Sequence, residues 1–483
     1  MNTHLLALQL MALQGCLGAF DTVYHHELTE ALPQHHTAQR ELSIHTIRAI
    51  IYSALFLGLS AWTWNGFWTV ILFSLFTIEI ALTLWDFVIE DQTRLLPATE
   101  RITHTILAIN GGAFIALLAL NMRQWFAQPA GFEWQPHGYL SVFLALCGVG
   151  VGLSAIRDAF AVYKIGKQKI SNAISKIHFS DTAQRVLITG ATGFVGQLLV
   201  RALLNDGHEV IILTRYPKQA SWLFEGKVNC FRSMEELTVQ QKIDVIVNLA
   251  GARILGWRWT EKRKKILRQS RIGLTQNVID WIAKAEHKPR LLLSASAIGY
   301  YGIQKQSDTT DLLETSTPQH IFMSQLCQAW EKVAQTASTY DVNVICMRFG
   351  LILGNQGALP TMLMPIKLGL GGKLGTGHQW VSWIHVQDVL RAIAHLMQQK
   401  NSLIGAYNFT APENISQEYF SKTAAKILHR PCFFSTPGFL MRLLLGEQAD
   451  LLLEGQKAVP ARLQVSDFTF TYPDLISALK NLV

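Results

Sequence analysis

The chain has 483 residues, a formal net charge of +8 and 49% hydrophobic residues. That length leaves room for more than one domain, and its positive mean hydropathy is unusual for a water-soluble enzyme. Six scattered cysteines (Cys16, Cys147, Cys230, Cys327, Cys346 and Cys432), none in Cys-x-x-Cys spacing, suit a reducing cytoplasm and argue against structural disulfides.

The apolar excess lies in the first 180 residues. Runs near the spanning length of about 20 residues recur there, at roughly 5–24, 44–63, 67–87, 103–121 and 138–157. The first has no basic flank and no clear cleavage site, so it does not read as a signal peptide. If all five runs span, one side carries Arg40, Arg94, Arg101, Arg157, Lys164, Lys167 and Lys169, and the other little beyond Arg123. The basic side is cytoplasmic by the positive-inside rule, which places a multi-pass domain in the inner (cytoplasmic) membrane with its N-terminus outside.

Acids and histidines recur at the ends of these runs. Asp21 and His25 are four apart, as are Glu41 and His45, Asp86 and Glu90, and Glu100 and His104, while Glu79 lies seven before Asp86. Residues four apart share a helix face, and an up-and-down arrangement brings every pair to the cytoplasmic end. Ionisable groups at such depth face a bundle interior. Carboxylates and imidazoles converging from several helices build di-iron and di-manganese sites, although those use Glu-x-x-His and this chain has Glu-x-x-x-His. Two alternatives stand beside a metal centre. His45 and His104 supply axial ligands for haem, or the set is a polar network with Arg40, Arg48, Arg94 and Arg101 as partners. The loop histidines His26, His35 and His36 read as solvated.

A basic stretch follows, YKIGKQKISNAISK at 163–176, of the kind that lies against anionic headgroups. The membrane accounts for the net positive charge. The cluster Lys262–Lys265 with Arg268 and Arg271 therefore reads as a solvated or membrane-facing helix, with no nucleic-acid partner implied.

Residues 186–196 read VLITGATGFVG. An apolar strand runs into Gly190, Gly193 and Gly196 and then into a helical stripe, Leu198–Leu204. Glycines allow the backbone to turn tightly and approach a pyrophosphate, and the following helix points free N–H groups at it. The next strand, Glu209–Leu213, ends in Thr214-Arg215, about 20 residues beyond the glycines. An acid there would hold the ribose hydroxyls of NAD; an arginine meets the 2′-phosphate of NADP.

Together with LTR (213–215), NLAG (248–251), RWTEKRKKILRQSRIGLT (258–275), SASAIGYYG (294–302), AWEKVA (329–334), MRFGLILGNQGAL (347–359), LGLGGKLGTGHQWVSWIHVQD (368–388) and FTFTYPDLISAL (468–479), the TGATGFVG segment (189–196) resembles the extended short-chain dehydrogenase/reductase superfamily. Within it the chain is similar to the atypical, SulA-like branch of epimerase family proteins. The resemblance covers the last three-fifths of the chain. It implies an α/β Rossmann domain, a doubly wound parallel sheet with a small C-terminal lobe. It also implies NADP(H) held by Gly190, Thr192, Gly193, Phe194, Val195, Gly196, Thr214, Arg215, Leu249, Ala250, Gly251 and Ser294.

Reductases of this superfamily carry Tyr-x-x-x-Lys in the helix before the position of AWEKVA. Here that position reads Phe322-Met-Ser-Gln-Leu326, and the two literal matches, Tyr163–Lys167 and Tyr301–Lys305, are misplaced. Ser296 matches the superfamily's catalytic serine, and Tyr300 and Tyr301 are the nearest phenols. A phenol of ordinary pKa, about 10, is a poor base unaided, and Tyr301 reads equally as packing for the nicotinamide pocket. His385 reads as a structural residue before a helix more than as a proton donor.

The expected organisation is a membrane domain of about five α-helices (1–162), a basic linker (163–183), an NADP-binding Rossmann domain (184–435) and a C-terminal family segment (436–483). The expected function is a membrane-anchored NADP(H)-dependent oxidoreductase or epimerase-like enzyme with a lipid-like or quinone-like substrate. A more specific version is coupled to an iron, manganese or zinc centre in the membrane domain. A non-catalytic NADPH sensor or scaffold, and a nucleotide-regulated ion or proton pathway, are the competing readings.

Overall fold

An apolar core with buried polar side chains at particular levels marks the N-terminal part of the computed structural model, which describes residues 3–22, 39–93, 98–167, 177–254, 256, 258–399 and 404–483. Five helices run in sequence here: α1 (Thr3–Asp21), α2 (Gln39–Ser60), α3 (Phe67–Thr93), α4 (Ala98–Phe126) and α5 (Tyr139–Lys167). Each contains a stretch long and apolar enough to cross a membrane. A helix satisfies all its backbone groups internally, which hydrocarbon demands. Large side chains such as Ile50, Leu84, Ile109, Leu120, Leu146 and Ile156 point outward and are exposed. Polar ones turn in: Asn110 donates to Gln14 Oε1 at 2.8 Å and to the Leu10 carbonyl at 2.9 Å. Helix α2 packs along α5 and α1 along α4. The approach is close, since a Cβ at Gly148 would meet Leu57 Cγ at 2.8 Å, as expected where small residues let membrane helices touch.

The sequence reading did not anticipate a short antiparallel strand pair between helix ends, β1 (Trp62–Asn65) with β2 (Gly131–Trp134). It gathers Trp62, Trp64, Trp68, Phe132 and Trp134, edge to face except for Trp68 and Phe132, which are tilted at 42°. This is the end opposite the acid–histidine pairs, and an aromatic belt there matches a membrane–water interface.

The chain divides into two compact units, Met1–Ile170 and Ser171–Val483. The second is built on seven parallel strands: β3 (Arg185–Thr189), β4 (Glu209–Leu213), β5 (Asn229–Phe231), β6 (Val245–Asn248), β7 (Leu291–Ala297), β8 (Asn343–Phe349) and β9 (Gly405–Phe409). Their order across the sheet is β9-β8-β7-β6-β3-β4-β5, the doubly wound arrangement whose switch point lies between β3 and β6. Both faces are buried. Along β3, Val186 and Ile188 enter one core and Leu187 the other, as the two-residue strand period requires. Burying each such side chain contributes about 1.5–3 kcal/mol. Helices α6 (Phe194–Asn205), α7 (Leu274–Lys284), α8 (Phe322–Gln335) and α9 (Val386–Gln398) belong to the same unit. A smaller C-terminal lobe collects Trp383, Phe420, Leu475 and Leu479 into its own core.

Candidate functional site

The turn after β3 is built for close approach of a ligand to backbone. Gly190 has φ of +72°, and a Cβ there would lie 2.8 Å from the Ala250 nitrogen. A Cβ at Gly196 would lie 2.2 Å from the Gly190 oxygen. No side chain but hydrogen fits at either position. Gly193 caps α6 without any side-chain hydrogen bond, so the first N–H groups of the helix are left for an anion. Thr192 and Phe194 steady the turn: the Thr192 carbonyl accepts from Gln197 Nε2 at 2.8 Å, and the Phe194 ring packs against Gly354.

A polar column supports the facing turn after β6. Thr189 donates to Asn248 Oδ1 at 2.6 Å, and Asn248 donates to Thr275 at 2.8 Å and to Ser294 at 3.3 Å. The Ala250 nitrogen donates back to Thr189, which fixes Leu249, Ala250 and Gly251 opposite the glycine turn. Ser294 is fully buried in this column; it supports the turn from below. Beyond β4, the Thr214 hydroxyl accepts from the Tyr216 nitrogen at 3.3 Å. Arg215 is exposed, with its guanidinium over the Tyr216 ring at 5.8 Å and no ion pair among the described residues.

Arg271 was missed as a site residue. It is 7% exposed, donates to the Ala252 carbonyl at 3.0 Å, lies over the Trp330 ring and abuts Gly251. Burial pulls its pKa down. The motif SRIGLT contained it, but sequence does not reveal that it stands beside the NLAG turn.

Ser296 and Tyr301 enter a buried network. Ser296 donates to Glu331 Oε1 at 2.6 Å. Arg348 grips both oxygens of Glu331 at 2.8 Å and donates to the Tyr301 hydroxyl at 3.0 Å. Tyr301 in turn donates to Asn408 Oδ1 at 2.7 Å. Burial raises the Tyr301 pKa although Arg348 opposes it; burial also opposes the Arg348 charge, but Glu331 raises its pKa overall. Tyr300 differs: it is half-buried, with the Arg348 guanidinium 3.4 Å from its ring centre. An open cleft of 480 Å³ borders Tyr301, lined by Gln304, Leu312, Thr317 and Gln319 among others. It lies in the loop beyond the carboxyl end of β7, where open α/β sheets take ligands. Glu331, Arg348 and Asn408 sit in AWEKVA, MRFG and β9; strand register pairs the last two, and packing of α8 on the sheet brings in Glu331.

At the position of the usual catalytic pair, Phe322 lies beneath Lys264 and Arg268, at 5.2 and 5.1 Å, and Leu326 is buried beside Leu267 and Met323. His385 caps α9, its Nδ1 accepting from the Gln387 nitrogen at 3.1 Å. Burial holds its pKa down at about 4.

In the first unit the acid and histidine residues gather at one end of the bundle. His45 Nε2 lies 2.9 Å from Asp86 Oδ2 and 3.9 Å from Glu90 Oε1. His104 Nδ1 lies 3.4 Å from Glu90 Oε2, and its Nε2 lies 3.2 Å from Asp21 Oδ2. Arg48 holds Asp86 at 2.6 Å and Glu79 at 3.2 Å. Glu41, Glu90 and Glu100 are fully buried. Glu79 thus stands with Arg48, apart from the histidines. His25, Arg94 and the loop histidines lie outside the described residues.

Residues 186–409 match the NAD dependent epimerase/dehydratase family, and residues 436–482 match a domain of unknown function, DUF1731. The chain is 39% identical over 306 residues to the epimerase family protein YfhF of Bacillus subtilis, covering 62% of this chain and 97% of that one. It is 39% identical over 298 residues to the epimerase family protein SSP1921 of Staphylococcus saprophyticus, covering 98% of it. Among solved structures, the human epimerase family protein SDR39U1 (isoform 2), crystallised with NADPH, is 32% identical with a TM-score of 0.56. That match covers 62% of this chain and 98% of the human one. With the glycine turn, the switch-point sheet and near-complete coverage of these relatives in agreement, the chain belongs to the NAD dependent epimerase/dehydratase family.

Proposed function

We propose that the protein is an NADPH-dependent reductase, anchored in the cytoplasmic membrane by α1–α5 with its nucleotide-binding unit in the cytoplasm, acting on a quinone-like or other lipid-like acceptor. The observation that carries the reading is the cradle itself: two glycines whose Cβ atoms would collide with backbone, an uncapped helix start and an exposed arginine at the end of β4. The human relative crystallised with NADPH supports the same cofactor.

NADPH supplies a hydride when bound. The remaining chemistry falls to the chain's own residues and to the acceptor. The glycine turn and α6 seat the pyrophosphate, and Arg215 pairs with the 2′-phosphate. A ketone that accepts hydride becomes a strongly basic alkoxide and needs a strong, well-placed acid. A quinone becomes a phenolate-type anion whose conjugate acid is about as acidic as tyrosine, about 10. Water or a single phenol suffices for it. The replacement of the usual tyrosine and lysine by Phe322 and Leu326 therefore favours the quinone-like acceptor. We assign that proton to Tyr300, whose ring lies on the Arg348 guanidinium, with Ser296 and Tyr301 positioning that arginine. The apolar outer face of α1–α5 supports lipid as the partner of the first unit, and an anchor there restricts the search for a lipid-soluble acceptor to two dimensions.

One observation favours a second reading, a non-catalytic NADPH sensor or scaffold: the hydroxyls of Ser296 and Tyr301 are both committed to buried acceptors. Full-length protein in lipid nanodiscs decides between them, with NADPH oxidation followed at 340 nm against a short-chain quinone and an aliphatic ketone. Quinone reduction without ketone reduction is the expected result. NADPH binding with no turnover of either acceptor would leave the sensor.

A further inference from the structure

Two Glu-x-x-x-His pairs lie on the long helices, Glu41/His45 on α2 and Glu100/His104 on α4, and they meet on either side of one carboxylate, Glu90 of α3. One donor atom each from Glu41, His45 and Glu90 lie within 4.8 Å of one another, and so do one each from Glu90, Glu100 and His104. Glu90 belongs to both groups, and its two oxygens are divided between them: Oε1 faces His45 at 3.9 Å and Oε2 faces His104 at 3.4 Å.

Nitrogen and oxygen ligands bind a divalent first-row ion at about 2.0–2.2 Å, so ligands of one ion stand roughly 3–4 Å apart. The separations around Glu90 are of this size. A carboxylate using both oxygens holds two ions about 3.5–4 Å apart, as in two-metal sites. The surroundings supply the outer contacts such a site needs. Asp21 faces the second ring nitrogen of His104 at 3.2 Å, the carboxylate–imidazole contact that orients a ligating ring. Asp86 approaches the same His45 Nε2 that faces Glu90, at 2.9 Å, and is held in turn by Arg48, which neutralises it on that flank. Neither group includes sulfur, which suits iron, manganese or zinc and not copper(I). Glu90 also occupies the space between the two imidazoles that a porphyrin would need.

We propose that Glu41, His45, Glu90, Glu100 and His104 bind a pair of divalent first-row cations within the membrane bundle, with Glu90 bridging them. The site lies wholly in the first unit and is independent of the nucleotide reading.

The test uses full-length protein purified without a histidine tag, stripped with chelator, incubated separately with manganese(II), iron(II) under anaerobic conditions and zinc(II), and desalted. Metal content is measured by mass spectrometry. The native chain is expected to retain about two ions, His45→Ala and His104→Ala about one each, and Glu90→Gln less than a fifth of the native content. Electron paramagnetic resonance of the manganese-loaded native protein reads the site without any substitution. A spin-coupled pair is expected, with the six-line signal of isolated ions broadened away. Less than about a tenth of an ion per chain with all three metals, equal content in native and Glu90→Gln protein, or a Soret band from haem would each overturn the proposal.

Discussion

Ser296 and Glu331, 35 residues apart in sequence, share a 2.6 Å hydrogen bond, and Arg348 closes on the same carboxylate with two bonds of 2.8 Å. The register that pairs Ser296 with Arg348 across β7 and β8 makes this possible. Removing Glu331 strands a buried guanidinium, whereas removing the serine hydroxyl costs one hydrogen bond. Glu331→Ala is expected to destabilise the nucleotide-binding unit by about 3–5 kcal/mol and Ser296→Ala by about 1–2 kcal/mol. Thermal melts followed by NADPH fluorescence measure both, and equal losses would contradict the network's role.

Restoring the superfamily's catalytic pair is expected to be unequal at its two positions. Phe322→Tyr keeps its ring beneath Lys264 and Arg268 and is expected to change stability by less than about 1 kcal/mol. Leu326→Lys places an ammonium among Leu267 and Met323 and is expected to cost several kcal/mol. Melts of the two single variants check this. If Leu326→Lys is as stable as the native chain, the apolar account of that pocket fails.

The parallel sheet and the cofactor turn were legible because their signals are local. Apolar strands, glycines and a helical stripe lie within one βα unit, and Arg215 follows at a fixed offset. The five apolar helices were legible because length and composition alone define them. The Ser296–Glu331–Arg348–Tyr301 network was not, since its members come from three separate motifs that strand register and helix packing bring together. Arg271 was read with its basic neighbours as a solvated or membrane-facing face, yet it is buried, because the chain folds it back toward Gly251. The strand pair Trp62–Asn65 with Gly131–Trp134 escaped notice because four-residue strands give almost no periodic signal. For the nine acid and histidine residues singled out from the first 104 positions, the sequence pattern predicted a common depth. It did not separate Glu79 and Asp86, which Arg48 holds, from the residues around Glu90.

His385 is expected to make stability fall with acid. Burial holds its folded pKa at about 4, below the ordinary 6.5, so the unfolded chain takes up the proton first. The stabilisation, about 3 kcal/mol, is complete above pH 6.5 and is lost as pH falls from there toward 4. In His385→Asn the amide still caps α9 but does not titrate. The difference in stability between native and variant protein is therefore expected to shrink across that window. A difference independent of pH would contradict the neutral, buried imidazole.

The C-terminus is expected on the cytoplasmic side. A fluorescent protein fused after Val483 is expected to fold and fluoresce, and alkaline phosphatase fused at the same point to be inactive. The opposite pattern would place the nucleotide-binding unit away from its cofactor.

Arg215 tests the account most directly. Its exposed guanidinium at the end of β4 is assigned to the 2′-phosphate, a charge-assisted contact of about 1.5–3 kcal/mol, or roughly ten- to a hundredfold in affinity. Titration of native and Arg215→Ala protein with NADPH and NADH measures it. The native chain is expected to prefer NADPH by at least about tenfold, and the variant to lose that preference while its NADH affinity stays nearly unchanged. Equal affinity of the native protein for the two nucleotides would contradict the account.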